Sequence, residues 1–143
     1  MIISLKSLWT LARINEAAAN LRQPLPLDVL HQARMPALQR FHANKMIAAI
    51  QAELAALEAM RIDLVRQHGK ELLNEQNECT GYTVEHDPAA LQAFQADIDA
   101  LCAGTVEIPG ELLSLADITG VSLSGLDLEA LHFLFRECAE QSE

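Results

Sequence analysis

The stretch from Pro36 to Gly69 constrains the fold more than any other part of the chain. It contains neither glycine nor proline between its two ends, and residues that favour helices dominate it. Pro36 suits the first turn of a helix, and Gly69 suits the position just past the end, where a left-handed backbone is common. The stretch therefore predicts one helix roughly 48 Å long, which needs packing partners along its length.

Apolar residues at heptad spacing form the expected buried seam of this helix. They are Ala43, Ile47, Ile50, Leu54, Leu57 and Leu64. Arg61 takes a seam position, where it either pairs with a carboxylate or marks the point at which the seam meets solvent. Further alanines widen the apolar surface, namely Ala48, Ala49, Ala52, Ala55, Ala56 and Ala59. The pattern indicates either the central helix of a core or a coiled-coil contact with another copy.

A second, shorter helix is predicted from Pro88 to Ala103. Asp87 and Pro88 are a typical helix start, with a capping side chain followed by a proline in the first turn. The polar segment Glu71–Asp87 joins the two helices, and it contains one possible strand at Tyr82–Glu85. We therefore expect an antiparallel pair of helices linked by a long polar excursion.

Short elements are expected on either side of this pair. They are an edge strand at Met1–Leu5, a first helix capped by Ser4 or Ser7, a strand at Thr105–Ile108, an extended arm at Glu111–Val121 and a terminal helix over Leu126–Cys138. Ser124 and Asp127 have the spacing of a capping box at the start of that last helix.

These elements predict a single domain over residues 1–143. Its parts are an N-terminal strand, helix and proline connector (1–35), the helical hairpin (36–103), and a strand, apolar arm and terminal helix (104–143). The predicted fold class is mainly α with a small β element (α+β). It consists of a long antiparallel helical hairpin with short flanking helices and one or two short strands.

The charge balance excludes several classes of partner. The chain has 20 acidic and 10 basic residues, a net charge of −10. Nucleic-acid surfaces need clustered lysine and arginine, and an anionic membrane repels an acidic protein. We therefore expect neither a nucleic acid nor a membrane as partner.

The sequence carries no catalytic signature. It has no glycine-rich phosphate loop, no GxSxG and no HExxH, so we predict no catalytic residue, no cofactor and no metal. Cys79 and His86 lie seven residues apart in the polar segment, but paired ligands such as CxxC are missing. A metal-dependent enzyme that uses the Cys79–His86 loop is kept as one alternative.

The order of these pieces resembles a group of small phage-encoded helical-hairpin proteins of unknown biochemical function. The resemblance rests on the long-helix pattern of Glu53, Leu54, Glu58, Arg61, Leu64 and Gly69, the shorter helix Leu91–Leu101, the strand Val106–Ile108, and the arm and terminal helix from Leu113 to Leu131. It covers about Phe41 to Phe135 and implies a phage protein encoded among virion or tail-assembly proteins. It supplies no catalytic residues.

We therefore expect a non-enzymatic phage structural or assembly protein that acts by protein–protein contact. It would be a small virion component of the head–tail or tail region, assembled in the host cytoplasm, with other phage structural proteins or copies of itself as partners. The residues expected near the contact are Met46, Ala49, Glu53, Met60 and Arg61. A cytoplasmic phage-encoded inhibitor of a basic host surface is the second alternative.

Overall fold

A computed structural model describes residues 1–141 of the chain and the side chains of residues 1–138. The elements are β1 (Ile2–Ser4), α1 (Leu5–Asn20), α2 (Pro26–Gln32), α3 (Ala37–His68), β2 (Lys70–Leu73), β3 (Cys79–Thr83), α4 (Pro88–Cys102), β4 (Thr105–Glu107), α5 (Gly125–Leu131) and α6 (Arg136–Gln141), with 3-10 turns at Leu115–Asp117 and His132–Leu134. The predicted class, mainly α with a small β element, is confirmed. The β content is two antiparallel two-stranded sheets.

Local side-chain chemistry starts three of the helices where the sequence predicts. Ser4 accepts a hydrogen bond from the Ser7 backbone N–H (3.2 Å), and Asp87 accepts one from the Ala89 backbone N–H (3.1 Å). Ser124 and Asp127 form the complete capping box, each side chain accepting from the other's backbone N–H at 3.0 Å. These contacts satisfy backbone donors that have no partner within their helices.

The long helix α3 has the predicted length, but it ends differently from the expectation. Gly69 has φ −95° and ψ −177°, which is extended backbone, so the left-handed conformation expected there was wrong. A Cβ at this position would lie 2.5 Å from the carbonyl oxygens of both Val65 and Thr83. Glycine is needed because β3 approaches the end of the helix closely, and no side chain fits between them.

The polar segment between α3 and α4 was expected to contain one possible strand, but it contains two. β2 and β3 form an antiparallel hairpin in which Lys70 pairs with Thr83 and Leu72 with Gly81. The Asn74 side chain accepts hydrogen bonds from the backbone N–H groups of Gln76 and Glu78, both at 2.9 Å. Asparagine side chains build turns in this way, so the hairpin turn has its own local cause.

Helix α4 packs against α3 but covers only part of it. α4 has 15 residues and α3 has 32. His68, in the last turn of α3, lies 2.5 Å from the Asp97 carboxylate of α4. α3 also contacts α1, α2 and β3, so several elements of the same chain share its inner face.

One hydrophobic core joins the beginning, the middle and the end of the described chain. The seam residues of α3 are buried, except that Leu54 is half-buried against the core. β1 pairs with β4, with Ile3 opposite Val106, and Ile3 and Ile108 belong to the same core cluster. The two predicted strands therefore pair with each other and join the N-terminal segment to the segment that follows α4.

The terminal helix expected over Leu126–Cys138 is interrupted. α5 ends at Leu131, a 3-10 turn follows, and Phe135 is extended and forms a β-bridge with Leu113. The Leu113 backbone N–H donates to the Leu134 carbonyl, and the Arg136 N–H donates to the Leu113 carbonyl, both at 2.8 Å. The apolar arm therefore breaks the helix by pairing with its backbone, a tertiary contact that helical spacing does not reveal.

Candidate functional site

The five residues predicted near a partner contact do not form one open surface. Met46 is 0% exposed and lies beneath Gly110, so in this fold it offers no open surface to a partner. Ala49 is half-buried against the core, and Glu53 is half-buried. Met60 is 41% exposed. Met46 is buried because the backbone at Gly110 covers the flank of α3 on which it lies. The sequence pattern of α3 alone does not reveal this contact.

Arg61, the fifth predicted residue, belongs to an ion-pair network on the surface. Its guanidinium binds Glu58 through two contacts, 3.0 Å from Nε to Oε2 and 2.5 Å from Nη2 to Oε1. Arg13 of α1 reaches the same Glu58 carboxylate at 3.5 Å. The hydrogen bond from Arg61 holds the pKa of Glu58 below its usual range, and Glu58 raises the pKa of Arg61. Of the two expectations for Arg61 at its seam position, pairing with a carboxylate is therefore the one that the structure shows, with Glu58 as the partner.

Replacing Glu58 with glutamine is expected to lower the unfolding free energy by less than about 1 kcal/mol, because the half-buried network still lies at the surface, where solvent screens the charges. The folded-state pKa of Glu58 is lowered, so its contribution is complete at neutral pH, above the ordinary glutamate range. It should shrink as the pH falls through that range and disappear below the lowered pKa. Urea unfolding of both proteins across a pH series measures this difference.

Glu53→Gln is the matched control, because Glu53 lies on the same helix and forms no ion pair among the described residues. A difference at Glu58 that grows as the pH falls would contradict the assignment of the network.

A second apolar stripe runs along the opposite side of α3, and we call it the outer stripe. It consists of Phe41, Lys45, Ala48, Ala52, Ala55, Ala59, Ile62 and Arg66, and all eight are exposed. These residues follow the 4-3 spacing of a heptad. Since successive helical residues are about 100° apart around the axis, the outer stripe lies opposite the buried seam. The long helix thus carries two seams, of which the fold covers one.

The composition of the outer stripe differs from one end to the other. Its middle is four alanines, and small residues allow a neighbouring helix to come close. Phe41 is 54% exposed and Ile62 is 40% exposed. The Lys45 ammonium lies 4.7 Å from the centre of the Phe41 ring, and the Arg66 guanidinium lies 5.5 Å from that of Tyr82. The stripe therefore has an apolar centre and one cation near each end.

A cleft of about 480 Å³ opens where the outer stripe meets the β2–β3 hairpin. It is lined by Arg61, Ile62, Val65 and Arg66 of α3 and by Cys79, Thr80, Gly81 and Tyr82 of β3. Its walls combine an apolar helix face with two guanidinium groups. The cleft extends the exposed surface of α3 sideways onto the hairpin.

The loop proposed for a metal does not gather ligands in the part of the chain that is described. The Cys79 thiol is exposed and lies 3.4 Å from the Gly81 carbonyl, while the His86 ring lies 3.1 Å from the Thr83 carbonyl. Among the described residues there is no group of three histidine, cysteine or carboxylate side chains placed to hold an ion. The geometry of these residues gives no support to the metal-dependent alternative.

None of the helices within residues 1–141 is long and apolar enough to cross a lipid bilayer. Comparison with known proteins gives no match to a family model, to a curated protein or to a solved structure. The outer stripe of α3 is therefore the feature of this chain that bears most directly on its function.

Proposed function

We propose that this protein is a non-enzymatic bacteriophage structural or assembly protein that acts by protein–protein contact. The observation that carries the proposal is the outer stripe, a second heptad seam that the fold leaves exposed. The phage origin is supported by the resemblance of the helix, strand and arm pattern to small phage-encoded proteins. The place of action would be the head–tail or tail region of a virion assembled in the host cytoplasm.

The long helix turns an apolar side toward solvent. A helix on the surface of a globular protein normally places charged and polar residues on its outer face. α3 instead places four alanines in line there, with Phe41 and Ile62 beyond them. Contiguous exposed apolar surface of this kind marks interaction sites. The long helix is therefore suited to bind another helix along its outer side.

The charge distribution supports the same surface. The chain has a net charge of −10, yet the outer stripe contains no carboxylate. A partner that is itself acidic can approach this strip with less repulsion than it would meet elsewhere. Other virion proteins or further copies of this chain are the partners proposed.

A protein inventory of purified virions by mass spectrometry tests the proposal. We expect the chain in mature particles or in isolated assembly intermediates. Ala52→Glu should reduce its incorporation, because a charge would then occupy the apolar centre of the stripe. Ala96→Glu is the matched control, since Ala96 is an exposed alanine on α4 away from the stripe.

Absence of the protein from both particles and intermediates would contradict this function. Salt-sensitive capture of a basic host protein, together with that absence, would favour the inhibitor alternative instead.

A further inference from the structure

We propose that the occupant of the outer stripe is the outer stripe of a second copy, lying antiparallel across a two-fold axis. The axis would pass between Ala52 and Ala55, so that Ala52 of each copy faces Ala55 of the other. This inference rests on the proposed function and specifies its partner. It is drawn from the order of residues along the stripe, from their charges and from the area that the helix can offer.

The centre of the stripe is self-complementary in this arrangement. In an antiparallel pair with heptad spacing, the residues of one helix meet those of the other in reverse order. Ala48 then faces Ala59, and Ala52 faces Ala55. Four layers of alanine on alanine allow two helices to approach to about 8 Å, the short end of helix-packing distances.

The ends of the stripe favour the antiparallel direction over the parallel one. Reversal places Arg66 of one copy against Phe41 of the other, and Lys45 against Ile62. The Phe41 ring is 54% exposed and already binds the Lys45 cation of its own chain at one site. A guanidinium beside an exposed aromatic ring is favourable, and Arg66 of one copy lies one turn away from Lys45 of the other in this register. An in-register parallel pair would set Lys45 directly against Lys45 and Arg66 directly against Arg66.

A carboxylate next to the stripe adds to this complementarity. Asp63 is exposed and follows Ile62 directly. In the antiparallel pair it lies beside Lys45 of the other copy, and the carboxylate attracts that ammonium group. The net charge of −10 opposes association between copies in general. The stripe contains two cations and no carboxylate, so the repulsion between two copies is weaker there.

The available area indicates a weak pair. The stripe from Phe41 to Arg66 is roughly 39 Å long, and a helix about 10 Å wide covers roughly 400 Å² of it per copy. Stable complexes usually bury about 800 Å² per partner. Two isolated chains should therefore bind each other weakly and dissociate readily. The contact should persist where many copies are held together in an assembly.

Directed cysteine pairing tests both the partner and the direction. Ala48→Cys and Ala59→Cys are prepared separately, mixed at millimolar protein concentration and oxidised gently. The antiparallel pair brings position 48 of one copy to position 59 of the other, so the mixture should form a disulfide between these two positions. Either variant alone should not, because like positions would lie roughly 16 Å apart along the axis, beyond the reach of a disulfide.

Peptide mapping of the cross-linked product identifies the bonded positions, so the native thiols at Cys79, Cys102 and Cys138 can stay in place. Ala96→Cys serves as the control for random encounter, and circular dichroism checks that each variant keeps its helices. Adding Ala55→Glu to the Ala59→Cys chain should abolish the 48–59 bond. Disulfides formed by each variant with itself would overturn the antiparallel pair in favour of a parallel one.

If the 48–59 disulfide forms no faster than the 59–96 disulfide in a control mixture of Ala59→Cys and Ala96→Cys, self-docking on this stripe is overturned. Failure of the self-pairing can be distinguished from failure of the proposed function. Loss of the bond with the protein present in virions removes only the self-pairing, and it points to another virion protein as the occupant. The 48–59 bond with no protein in particles or intermediates keeps the pair and removes the structural role.

Discussion

Replacing Phe135 with alanine should lower the unfolding free energy by about 3–5 kcal/mol, the range for removing a buried aromatic side chain. Phe135 is 0% exposed and is among the largest fully buried residues of the core. It lies at the bridge to Leu113, where the apolar arm pairs with the interrupted terminal segment. Small domains have only about 5–15 kcal/mol of stability, so the variant should unfold at a much lower urea concentration, measured by circular dichroism.

Phe133→Ala is the control for this effect. Phe133 lies two residues earlier and is half-buried at the edge of the core, so the same change of side chain should cost less. Equal losses for the two variants would show that burial at the bridge does not decide the stability of this segment. A loss below about 1 kcal/mol at Phe135 would place the ring outside the core.

Gly110→Ala should destabilise the fold by about 2–4 kcal/mol, because backbone strain and overpacking act together. Gly110 has φ +117°, a region that residues with a side chain rarely adopt. A Cβ there would also lie 2.5 Å from Cγ of Met46, which is fully buried. The measurement is again urea unfolding, compared with the unaltered protein.

Gly125→Ala is the control, and it is expected to change the stability in the opposite direction. A Cβ at Gly125 would have no neighbour within 4 Å, and the residue is the first of α5. Alanine is compatible with that position, so the change should stabilise the protein by about 0.4–1 kcal/mol, mainly through the unfolded chain. If both glycine variants were equally stable, the close contact between Gly110 and Met46 would be refuted.

The features that were predictable from the sequence depend on residues close together in the chain. Ser4, Asp87 and the Ser124–Asp127 pair each act within three residues of a helix start, and the structure contains all three caps. The long helix was predictable for the same reason, because helix propensity and seam spacing depend on residues close together in the chain. The strands near Ile3 and Val106 were predicted by composition, although their pairing with each other was not.

The features that were missed depend on tertiary contacts. Gly69 appeared to be a left-handed helix end, but its need for glycine comes from Thr83 on another element. The terminal helix had regular spacing, yet Leu113 pairs with the backbone beside Phe135 and interrupts it. Met46 lies beside the seam in the helical pattern, and the backbone at Gly110 buries it. In each case the deciding neighbour lies far away in sequence.

The outer stripe is a different case, because its signal was present in the sequence. The alanines at 48, 52, 55 and 59 widen the apolar surface of the long helix. Their spacing, continued to Phe41 and Ile62, describes a separate heptad pattern on the other side of the helix. The bulkier seam around Ile50 and Leu57 predicted the side that the core covers. What the sequence alone left open was whether other elements of the chain would also cover the alanine side.

The pairing of β1 with β4 has a consequence for the way this chain folds. Ile2 lies opposite Glu107, so the sheet closes a loop that contains α1, α2, α3, the β2–β3 hairpin and α4. During synthesis the first strand emerges long before its partner does. Helices and the β2–β3 hairpin can form early because their contacts are local, whereas sheet closure between distant segments is slow and entropically costly. Helix α1 contacts α3, α4 and α5 in the folded chain, so its apolar side is not fully covered on the nascent chain until the residues of α5, Gly125–Leu131, have been made.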